Sequence, residues 1–141
     1  MSQTGSSYTL RLRTDLTFSE AVARAREELA AEGFGVLCEI DVQATLKQKL
    51  DIDREPYLIL GACNPPLAHG ALEAEPELGV LLPCNVIVYQ QQGHTHIAAV
   101  DAEQMLSIVG NDDLTTTATE VRRRLSAVVD RAARGSAERA A

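Results

Sequence analysis

The apolar positions of this chain change period from one segment to the next. Tyr8, Leu10 and Leu12 alternate with Thr9, Arg11 and Arg13, the spacing of a half-buried strand, which predicts a strand over residues 7–13. Thr17-Phe18-Ser19-Glu20 then has capping-box spacing. Phe18, Val22, Ala25 and Leu29 recur at helical intervals, with Glu20, Arg24 and Glu28 as an i,i+4 ladder on the opposite side. Gly33 supplies a left-handed stop. Alternation resumes from Phe34 to Val42 and puts Phe34, Val36, Cys38, Ile40 and Val42 on one face, so Cys38 is expected in the core.

Asp41 can cap a short helix through Ala44, Leu46, Lys47 and Leu50, followed by a polar turn from Asp51 to Pro56. The unbroken apolar run Tyr57 to Ala62 suits a central strand covered on both sides. Asn64-Pro65-Pro66 reads as a cap followed by prolines in the first helical positions, starting a helix to about Ala74 that Pro76 ends. Val80 to Leu82 and Asn85 to Gln90 read as strands separated by a break at Pro83. Gln92-Gly93 turns the chain into a further strand from His94 to Val100, which sets Tyr89 opposite His96 and puts Cys84 on the other face with Val86, Val88, Ile97 and Ala99. A short helical excursion occupies Asp101 to Val109. Asn111 or Asp112 then caps a last helix with the stripe Leu114, Ala118, Val121, Leu125, Val128 and Ala132.

This order predicts an α+β, two-layer domain: a mostly antiparallel sheet with two long helices packed on one face. The division expected is a disordered N-terminus over residues 1–7, one domain over 8–134 and a frayed tail over 135–141. At 141 residues the chain can bury one core without disulfides or metal. Its net charge of −7 disfavours nucleic-acid backbones. Arg122, Arg123 and Arg124 fan around a helix and read as a solvated face. No stretch has the length of a membrane span, and Met1 to Ser7 lacks the regions of a signal peptide, so a cytoplasmic protein that binds neither membrane nor nucleic acid is expected. Cys38, Cys63 and Cys84 are odd in number and widely spaced, which fits free thiols in a reducing compartment.

The candidate site is the pair of strand ends Cys63-Asn64-Pro65 and Pro83-Cys84-Asn85, with His69 as a base that could approach Cys63. Against it stands the tendency of free cysteine to act as a small buried filler, and both readings stay open. Pro65 and Pro66 lack N–H groups, which weakens any thiolate or phosphate cradle at that helix start, and there is no P-loop or G-x-G-x-x-G pattern. His94 and His96 point to one face and could share a metal, although solvated hairpin-tip histidines are the simpler reading; no metal site and no cofactor is assigned.

Three segments carry a resemblance: GFGVLCEIDVQATLKQKL (residues 33–50), YLILGACNPPLAHGAL (57–72) and GVLLPCNVIVY (79–89). In order and spacing they resemble domain of unknown function family 302, small bacterial and archaeal proteins, over about Tyr8 to Ala132. The resemblance implies a TBP-like β-α-β-α architecture, often dimeric, with no established activity. Its G-A-C-N-P and L-P-C-N motifs correspond to Gly61 to Pro65 and Leu82 to Asn85 and supply no catalytic assignment. The expected function is a small-molecule-binding or accessory module; the alternative is a thiol-dependent enzyme or sulfur carrier using Cys63 or Cys84. The apolar sheet face of Ile87, Tyr89, Ala98 and Val100 predicts a symmetric homodimer that covers part of it.

Overall fold

The computed structural model describes residues 7–140, with side chains through Gly135. Apart from Ser7, which lies in a turn, the N-terminal segment expected to be disordered falls outside the described residues. Strands Thr9–Thr14 (β1), Gly35–Asp41 (β2), Tyr57–Cys63 (β3), Cys84–Gln91 (β4) and His94–Val100 (β5) form one sheet in the order β1-β5-β4-β3-β2. Every neighbouring pair is antiparallel. Helices Phe18–Ala31 (α1), Val42–Leu50 (α2), Pro65–Ala74 (α3), Ala102–Ser107 (α4) and Thr115–Ala140 (α5) connect and cover it.

The long helices α1 and α5 pack side by side on one sheet face, as an α+β two-layer domain requires. The Thr17–Glu20 capping box closes α1, and the whole expected stripe is buried, from Leu114, in the 3₁₀ turn Asp112–Leu114 that leads into α5, to Ala132. Against these helices lie Leu12, Leu58, Leu60, Ala62, Cys84, Val86, Val88, Ile97 and Ala99. Beyond Gly135, where φ is 72° and ψ −158°, the tail expected to fray runs as helix to Ala140.

Four expectations are corrected. The ladder residue Arg24 is buried, because its guanidinium crosses to α5 and donates to the Arg131 carbonyl while pairing with Glu28. Val80 and Leu81 belong to a 3₁₀ turn, Pro76–Leu81, that follows α3 directly. β3 is an interior strand covered on one face only: Leu58, Leu60 and Ala62 face the helices, and Tyr57 and Ile59 are half-exposed on the other side.

The fourth correction concerns β2. A bulge at Leu37 shifts the pairing from Val36 with Ala62 to Cys38 with Gly61, so the face occupied by successive side chains changes within the strand. Cys38 is therefore exposed on the uncovered face. A Cβ on Gly61 would meet the Cys38 sulfur at 2.5 Å, which fixes that thiol directly over the glycine. As an edge strand that the long helices barely reach, β2 leaves nearly all its side chains exposed.

Candidate functional site

At the sheet end where β3 stops and β4 starts, the layers part around a cavity of about 330 Å³. Its wall comes from Phe34, Leu37, the β3 and β4 ends, α3, the 3₁₀ turn, α4 and the first turns of α5. The α3 residues Leu67, Ala68, Ala71 and Leu72 recur at the spacing of one helix side, so that whole side faces inward. Almost all of the lining is apolar. The volume lies at the small end of the range of ligand pockets.

Both thiols of the candidate site line this cavity, together with Asn64 and Pro83. Cys84 sits opposite Ala62 in the β3–β4 ladder and points to the helix side. Burial pushes its thiol up to about 11, and the neighbouring Cys63 adds to that shift. Cys63, at the last position of β3, is half-buried. Asn64 is buried and occupied: its side chain accepts from the Leu67 amide at 3.2 Å and so caps α3. Its role is to start the helix that forms the cavity wall.

The other sequence candidates do not join them. Pro65 is exposed at the first position of α3. Asn85, one residue past Cys84, points by strand alternation to the uncovered face, where it pairs across from Gly61. His69 is on the outer side of α3, exposed and 3.7 Å from Glu73, and contributes nothing to the cavity wall. No Cys63–His69 couple exists. Sequence reading missed the remaining wall, including Leu78, Met105, Thr117 and Val121, because these positions meet only through the packing of the elements after β3.

His94 is exposed at the hairpin, whereas His96 is half-buried and stacked on Tyr89, with centroids 5.0 Å apart. The solvated-tip reading holds for the first histidine alone. Among the described residues no group of three or more His, Cys, Asp or Glu side chains could hold a metal ion. No described helix is long and apolar enough to cross a membrane.

No curated protein matches the chain. It is similar to the crystal structure of an uncharacterized conserved DUF302 protein from Bacillus stearothermophilus, at 30% identity and a TM-score of 0.84 over 90% of this chain and 99% of that one. The model of the family described as Domain of unknown function DUF302 matches residues 8–132, which include both cysteine-bearing strand ends, and the chain belongs to that family.

Proposed function

We propose that this chain is a small-molecule-binding module whose ligand is predominantly apolar and occupies the cavity at the β3–β4 end. The observation that carries this reading is the convergence of Cys63, Asn64, Pro83 and Cys84 on one open, apolar hollow. Its affinity would come from removal of apolar surface from water, with few polar groups to fix orientation. The thiol-enzyme or sulfur-carrier alternative is weaker. Burial pushes the Cys84 thiol up to about 11, so it is almost wholly protonated at neutral pH, which weighs against Cys84 as the nucleophile. Cys63 would then act without the histidine base once expected beside it.

The test uses the neutral fluorophore N-phenyl-1-naphthylamine. Saturable fluorescence enhancement is expected, lost in Ala68→Trp, which fills the cavity from a half-exposed position on α3. Equal enhancement in a folded Ala68→Trp protein would overturn the reading.

For assembly we propose a symmetric homodimer through the uncovered sheet face. The face expected to make it, with Ile87, Tyr89, Ala98 and Val100, is less apolar than alternation implied, since Ala98 is buried and Arg11 and Arg13 are on the same face; its exposed apolar part is Ile40, 47% exposed, beside half-exposed Ile59 and Ile87. Sedimentation showing a monomer at tens of micromolar (roughly, for a contact of standard size) would sink this. A cytoplasmic location and the absence of nucleic-acid partners remain part of the proposal, supported by three unbridged cysteines and the net charge of −7.

A further inference from the structure

Nine arginines of this acidic chain fall into two groups. Arg24, Arg26, Arg122, Arg123, Arg124 and Arg131 each pair with a carboxylate. Arg11, Arg13 and Arg54 have no carboxylate within ion-pair reach among the described residues; Arg13 and Arg54 stand at the two ends of one cross-strand row of the uncovered sheet face, and Arg11, opposite Ala98, reaches that row from the neighbouring rung. That row follows the register: Arg13 opposite His96, His96 opposite Tyr89, Tyr89 opposite Tyr57. Arg54 covers Tyr57 at 5.0 Å, and the Tyr57–Tyr89 and Tyr89–His96 ring pairs stack at 5.3 and 5.0 Å.

The stack explains what the row can receive. Tyr89 shows its two faces to Tyr57 and His96, and Tyr57 shows its faces to Tyr89 and Arg54, so no open ring face remains there for a base or flat apolar ligand. Donors remain. Arg11 and Arg13, two residues apart, project from the same face of β1, and Arg11 donates to the Tyr89 hydroxyl at 3.3 Å. Beside them the His96 Nδ1 atom is buried without a hydrogen-bond partner. A carboxylate would have been the usual neighbour of two such guanidinium groups, and the described residues of this acidic chain supply none.

We propose that Arg11 and Arg13, with Tyr89 and His96, form a binding site for an oxyanion, the phosphate or carboxylate group of a small molecule. Each guanidinium fork can meet an oxyanion with two parallel N–H donors, and the ring stack anchored by Arg54 holds Tyr89 and His96 in place. The charged and titratable groups that act on His96 are Arg11 and Arg13 from β1 and His94 from its own strand. The site is on the β1–β5 side of the sheet, opposite the helix-side cavity, and does not depend on the ligand reading given above.

The experiment is an NMR titration of the whole chain with sodium phosphate, with sodium citrate and with sodium chloride at matched ionic strength, followed at the Arg11 and Arg13 side-chain N–H groups and the His96 ring. Saturable shifts with phosphate or citrate, absent with chloride, are expected, and the stronger of the two identifies the source chemistry. Arg11→Gln/Arg13→Gln should bind at least about tenfold more weakly, and Arg13→Gln, at an exposed position, gives the same direction if the double variant is unfolded. Arg123→Gln on α5 should leave binding unchanged. An anion seated there should also raise the His96 pKa by offsetting the two arginines. Identical shifts in chloride, no saturation, or undiminished binding in a folded Arg13→Gln protein would overturn the proposal.

Discussion

The two faces of the sheet are made from alternate residues of the same strands, yet they obey different physics. On β4, Cys84, Val86 and Val88 face the helices and are buried, while Asn85, Ile87 and Tyr89 face outward and remain at least partly exposed. The covered face is apolar apart from the buried Thr14 and Thr95, and its one thiol is driven toward the neutral form. The open face mixes isoleucines, a ring stack, unpaired arginines and the exposed thiol of Cys38. Cover, more than residue type, decides whether a side chain stabilises the fold or remains available for recognition.

The sharpest test of this contrast is a pair of truncations. Leu60→Ala removes a fully buried side chain and should cost about 2–5 kcal/mol, whereas Ile87→Ala on the open face should cost about 1 kcal/mol. Urea denaturation measures both; equal losses would mean that the open face is covered in solution. Next is Gly61→Ala, whose new Cβ would approach the Cys38 sulfur at 2.5 Å and the Pro83 Cγ at 2.9 Å. A loss of about 1–3 kcal/mol is expected, partly recovered by adding Cys38→Ala.

Thiol labelling of the native protein, read by mass spectrometry, should proceed in the order Cys38, Cys63, Cys84. The Cys84 pKa is raised in the folded state, so its neutral form favours folding. That contribution is complete below the ordinary thiol pKa of 9.0 and is lost as pH rises toward about 11. Rapid labelling of Cys84 at neutral pH would break the distinction between the faces.

The smallest effect belongs to Glu55, whose carboxylate accepts from the Gly93 and Gln92 amides and thereby ties the loop before β3 to the β4–β5 turn. Those bonds, the Gly93 contact foremost, hold its pKa below the usual range. The tie is therefore present above the ordinary carboxylate pKa and disappears as pH falls through the depressed value. Amide exchange at Gln92 and Gly93 should accelerate over that fall, and Glu55→Gln should flatten the dependence.

Where local pattern and tertiary demand agree, the sequence was legible. The α1 capping box, the α5 stripe and the hairpin register that sets Tyr89 against His96 all follow from spacing. β2 was misread because strict alternation has no means of registering an inserted residue, and Leu37 carries no glycine or proline signal of a bulge. The Pro76–Leu81 turn was misread because three apolar residues suit either a strand or a turn until their neighbours are known. In the site, the meeting of Cys63 and Cys84 follows from strand ends, and the exclusion of Asn85 was available from the pleat. Helical spacing from Leu67, Ala68 and Ala71 likewise places His69 outside. The unpaired state of Arg11, Arg13 and Arg54 had no linear signature, since it depends on where every carboxylate comes to rest.

The bulge at Leu37 also bears on how copies of this chain can add to one another. β2 is an outermost strand, and a regular outermost strand offers a row of free amide and carbonyl groups that templates the growth of a longer sheet. The extra residue bends the strand and interrupts the even spacing of those groups, so an incoming strand loses its ladder after a few residues. Edge-to-edge extension toward fibres is thereby discouraged on that side, and a stable assembly is steered toward contact between broad surfaces, where side chains and not backbone amides choose the partner.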